Sequence, residues 1–86
     1  MSSNHPTSFQ GDIVAAVRDA ILAAFPDAEV RVAGGGGHFQ IEVVSASFAG
    51  QGTLQKQRPV YAAIAHLMKG NDAPVHAVDS LVCRTP

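Results

Sequence analysis

Two alternating apolar runs, separated by four consecutive glycines, constrain this chain more than any other feature. Ala28, Val30 and Val32 alternate with Glu29 and Arg31; after Gly34, Gly35, Gly36 and Gly37, the residues Phe39, Ile41 and Val43 alternate with Gln40 and Glu42. A period of two places each apolar set on one face of a strand. Strands this close in sequence pair antiparallel, which makes the glycine run a pliable hairpin tip where positive φ is needed. A phosphate cradle is a poorer reading. Such loops aim their N–H groups from the start of a helix, whereas here a strand follows and no Lys-Ser/Thr trails the glycines.

Helical periodicity flanks the hairpin. Asp12 is a suitable N-cap, and Ile13, Val14, Val17, Ile21 and Phe25 recur at helical spacing until Pro26, so the spacing predicts a helix over 12–25. Residues 45–54, broken by Gly50 and Gly52, read as loop. Thr53 can cap a short helical turn through Arg58, and Pro59 suits the first turn of a further helix. That helix carries the stripe Val60, Ala63, Ile64, Leu67 and Met68, with Gly70, Asn71 and Pro74 as stop signals. The last run, "VHAVDSLV", has strand composition, but its inward phase is ambiguous: Val75, Ala77 and Leu81 compete with Val78 and Val82.

The resulting order is α-β-β-α-α-β, an α+β arrangement. The long helical connection from the second strand to the third permits parallel pairing. If those strands are parallel neighbours, His38 and His76, which begin them, come to the same end of the sheet beside the glycines. Neutral imidazole suits zinc, iron or an iron–sulfur cluster, yet two ligands do not close a site, so any metal held there needs ligands from a partner. Each histidine taken singly has the plainer reading of a surface or capping residue, and His66 reads as lying on a polar flank.

Composition bounds the rest. With 86 residues, 47% of them apolar and 15% charged, the chain is one globular domain, expected over 12–86 behind a loose polar tail at 1–11 that includes His5. A net charge of −1 argues against a surface built to neutralise phosphates. Gln55, Lys56 and Arg58, ahead of the Pro59 helix, resemble part of a helix-turn-helix in outline, though a solvated helix face is the simpler account. The single cysteine, Cys83, reads as a small packing residue and suits a reducing compartment. No secretory signal and no apolar run near 20 residues is present, so a soluble, cytoplasmic protein without a membrane partner is expected. No oxyanion-hole or acid–base pattern accompanies any nucleophile, and an enzyme is the least favoured class.

The stretches "GGHFQIEVVSASFAG", "LQKQRPVYAAI" and "VHAVDSLVCRTP" together resemble the BolA family, in its short bacterial, acid-stress-type branch. The likeness runs from Ile13 to Pro86. It implies a type II KH-like fold, α-β-β-α-α-β with a three-stranded mixed sheet packed on helices on one side. KH domains bind single strands through a GxxG loop between helices; Gly34–Gly37 lie between strands and do not inherit that role. The resemblance implies a non-enzymatic accessory protein that pairs with a monothiol glutaredoxin to hold or pass a [2Fe–2S] cluster, the partner supplying its cysteine and a glutathione thiolate. His76 matches the family's histidine ligand. The second ligand comes from the hairpin region, where this chain offers His38 and no cysteine, and Gly34–Gly37 would lie beside the cluster. Imidazole in place of thiolate raises a cluster's potential. No cofactor is expected in the isolated protein, and a weak homodimer is compatible with this reading. Family members often continue past Thr-Pro into a last helix, which this chain, ending at Pro86, does not carry. The alternative implied function is DNA-binding regulation of morphology and stress genes through Gln55, Lys56 and Arg58.

Overall fold

The computed structural model describes residues 12–86; the tail expected at 1–11, with His5, lies outside the described residues. Helix α1 spans Ile13–Ala24, and Asp12 caps it by accepting the Ala15 N–H at 3.2 Å. Strand β1 spans Glu29–Gly35 and β2 spans His38–Val44. Helix α2 spans Thr53–Ile64 and β3 spans Ala77–Arg84. The three strands form one mixed sheet in the order β1-β2-β3, with β1 antiparallel and β3 parallel to the central β2. The α+β class and the parallel pairing therefore stand as read from the sequence.

The core follows the periodicities. Val17, Ile21 and Phe25 from the first helical stripe meet Phe39, Ile41 and Val43 of β2 and Val60, Ile64 and Leu67 of the second stripe. The opposite sheet face is left open by the described residues and carries Arg31, Gln40, Glu42, Ser80 and Val82. Glu42 sits at its centre as the acceptor for Arg84 Nε at 2.9 Å, with Arg31 farther off at 3.9 Å.

Three boundaries differ from the periodic reading. Residues 53–58 and the Pro59 helix are a single helix, followed by one 3-10 turn at Ala65–Leu67. Gly52 is the N-cap, and its N–H donates to the Gln55 side chain at 3.0 Å. Pro59 removes one donor from the middle of that helix, but Val60 and Ile64, one and five residues beyond it, are fully buried, and tertiary packing outweighs the local break. The helix-turn-helix outline is thereby corrected, because no turn separates Arg58 from Pro59.

The segment read as plain loop after β2 holds a 3-10 turn, Ala46–Phe48. Ser45 is only 1% exposed. Its hydroxyl donates to Asp27 Oδ2 at 3.0 Å and accepts the Ser47 N–H at 3.1 Å. Phe48 is buried beside Phe25, ring centroids 5.2 Å apart.

The third difference concerns β3. Val75 is buried but precedes the strand, which begins at Ala77. Phe39 pairs with Val78, yet Gln40 pairs with Ser80, so Asp79 is an extra residue in a bulge. Both competing phases are therefore correct in part: Val78 faces the core before the bulge, and Leu81 and Cys83 face it afterwards.

Candidate functional site

Gly36 and Gly37 form a two-residue connection between β1 and β2, with φ of 61° and 86°. Positive φ at both central positions is the pattern of a type I′ turn, whose twist matches the flanking strands. The tip is consequently tight; Gly34 and Gly35 belong to β1 itself, opposite Phe39 and His38. At Gly34, φ is 134° and a Cβ would run into the His38 carbonyl and Phe39 Cα, so a side chain there is doubly excluded.

Gly37 joins the hairpin to the approach of β3. Its carbonyl accepts two N–H groups, from His76 at 2.8 Å and from Ala77 at 3.0 Å. Gly37 is buried, and a Cβ on it would strike the His76 ring. The glycine thus leaves room for that imidazole and holds its backbone. His38 follows directly and pairs across the ladder with Ala77, the residue after His76. His38 begins β2, and His76, expected to begin the last strand, stands one residue before β3, so both lie at one end of the sheet.

His38 has a partner that sequence reasoning did not name. Its Nδ1 lies 3.1 Å from Asp79 Oδ1, an approach made across 41 residues of chain. The two side chains are 59% and 50% exposed, so the pair is open to solvent on one side. Asp79 is the bulge residue. The only trace of this in the sequence was the conflict between inward phases in "VHAVDSLV", which an extra residue resolves.

Cys83 stands at the other end of β3, opposite Val43, packed against the core. At roughly 3.3 Å per residue it lies about 20 Å along the strand from Ala77. Burial pushes its thiol pKa above the ordinary value, and the nearby Lys56 ammonium offsets part of that rise. It serves packing at a distance from the histidines. Among the described residues, no three His, Cys, Asp or Glu side chains gather into a group able to hold a metal ion alone.

Two of the residues considered for reading DNA are engaged within the fold. The Gln55 side chain accepts the Gly52 N–H at the start of α2. Lys56 Nζ donates to the Cys83 carbonyl at 3.4 Å, and Gln57 Nε2 to the Leu81 carbonyl at 3.1 Å, so both reach across to the outer edge of β3. Arg58 is exposed on α2, and His66 is exposed on the turn that follows it. No helix among the described residues is long and apolar enough to cross a membrane.

Comparison with known proteins agrees with this architecture. An uncharacterized protein from the rpoN-murA intergenic region of Acinetobacter guillouiae is 38% identical over 60 residues, covering 70% of each chain. The solution structure of BolA1 from Mus musculus superposes with a TM-score of 0.72 at 30% identity, covering 100% of this chain and 76% of that one. A BolA homologue from Coxiella burnetii gives a TM-score of 0.68 at 28% identity, covering 100% and 94%. Residues 9–86 match the family described as BolA-like protein, and with the mixed sheet and two helices in place, the chain belongs to that family.

Proposed function

We propose that this BolA-like protein is a non-enzymatic accessory partner that, with a monothiol glutaredoxin and glutathione, binds or passes on a [2Fe–2S] cluster as cargo. The observation that carries this reading is the pair of imidazoles: His38 opens β2 directly after Gly37, and His76, immediately before the parallel β3, donates its backbone N–H to the Gly37 carbonyl. The donor set suits such a cargo, since imidazole replaces thiolate on iron in some [2Fe–2S] centres. Cys83 lies at the far end of β3 and faces the core, which leaves the histidines as this chain's ligands. The partner supplies the thiolates. In this arrangement His76 is held by the hydrogen bond from its own N–H to Gly37, while His38 is set at the first position of β2. Gly34–Gly37 contribute a close, side-chain-free approach rather than ligands.

The DNA-binding alternative has less support, because Gln55 and Lys56 are engaged within the fold. The deciding experiment adds the protein to monothiol glutaredoxin carrying a [2Fe–2S] cluster and records visible absorption and circular dichroism. A new spectrum is expected, and it should be reduced or altered with His76→Ala. An unchanged spectrum on mixing, or one indifferent to His76→Ala, overturns the assignment.

A further inference from the structure

We propose that Asp79 is the positioning residue for His38: its carboxylate fixes the imidazole with the proton on Nδ1 and turns Nε2 outward as the ligating atom. This deepens the cluster reading above and rests on it. The chemistry follows from the contact at 3.1 Å. An ionised carboxylate can only accept, so the neutral ring facing it carries its hydrogen on Nδ1 and keeps the lone pair on Nε2. A carboxylate behind a ligating histidine orients the ring and raises its basicity. The His38 side chain is also accessible, at 59% exposed, so a partner's cluster can reach the nitrogen not engaged by Asp79.

The bulge itself argues for a dedicated role. Without Asp79, β3 would read Val78, Ser80, Leu81, Val82, Cys83, Arg84, alternating in and out with no interruption. That is the register the structure adopts on both sides of the extra residue: Val78 opposite Phe39, then Ser80, Leu81 and Cys83 opposite Gln40, Ile41 and Val43. The fold does not need the residue to place its core. Bulges break ladder pairing, are rare between parallel strands and recur where a side chain has to be aimed. Here the side chain delivered is the one that meets His38.

The test uses the full chain and two readouts. Long-range proton–nitrogen NMR of the free protein in alkaline buffer reports the tautomer of His38 without any cluster. The protein is expected to show the Nδ1–H form, Asp79→Ala to lose it in favour of Nε2–H, and Asp79→Asn, whose side-chain carbonyl still accepts, to retain it. Deletion of Asp79 should leave a folded protein with the Asp79→Ala tautomer. Titration against cluster-loaded glutaredoxin is the second readout, where Asp79→Ala is expected to weaken complex formation roughly 10–100-fold and Asp79→Asn less. A tautomer unaffected by Asp79→Ala, or a tautomer change with unaltered complex formation, overturns the proposal. If the tautomers behave as stated but no variant, nor the unmodified protein, forms a complex, the hydrogen bond stands and the cluster reading falls.

Discussion

At the scale of single residues, Gly37 is the glycine that ties the turn to a histidine. It combines a φ of 86° with a His76 ring packed where a Cβ would lie. Gly37→Ala therefore strains the turn and displaces the imidazole together. The expected result is a loss of about 1–3 kcal/mol in chemical denaturation, with a shifted His76 ring resonance. An unchanged His76 signal would show that the ring does not depend on this glycine. The need for glycines at a hairpin tip was legible from the sequence, because positive φ is a local requirement. That one of them packs under a histidine 39 positions later was not, since no local pattern encodes it. Ser45 is similar: a polar residue after a strand reads as loop, and its hydrogen bonds to Asp27 and Ser47 make burial tolerable.

At the scale of elements, α2 and β3 show how an edge strand is protected. The side chains of Lys56 and Gln57 reach the Cys83 and Leu81 carbonyls, covering polar groups that an edge strand otherwise presents to other chains. Gln57→Ala should cost about 1 kcal/mol. For a domain of this size, that lowers the melting temperature by roughly 4–8 °C. Faster amide exchange in β3 but not β1 would accompany it. A melting temperature equal to that of the unmodified protein would mean that water satisfies the Leu81 carbonyl as well. Helical spacing marked both apolar stripes correctly, but Pro59 suggested a break that the fold overrides. Propensity costs are local, whereas the burial of Val60 and Ile64 is a property of the assembled core.

For the whole molecule, stability should respond to alkaline pH through Cys83. Burial raises its pKa in the folded state, so the unfolded chain ionises first as pH rises. The unfolded state then binds fewer protons, and stability, intact below the ordinary thiol pKa, declines above it. Denaturation series from neutral to alkaline pH should show that decline lessened in Cys83→Ala. Equal slopes for both proteins would remove the thiol as its cause. The same half-burial keeps Cys83 slow to alkylate in the native protein, because the thiolate is the reactive form.

The sequence by itself determined what depends on neighbours along the chain. The alternation over 28–32 and 39–43 set two strands and their buried faces, the 3.6-residue stripes set two helices, and the four glycines set a turn. The separated family motifs added the KH-like fold in which these elements assemble, with a three-stranded mixed sheet. Only the tertiary structure decided what depends on register between distant segments. It brought His38 beside the approach of β3, seated His76 over Gly37, and placed an extra residue in β3 whose carboxylate meets His38. The physical reason is that periodicity reports which face a side chain occupies, while a bulge shifts pairing by one residue and redirects a side chain with no change in composition.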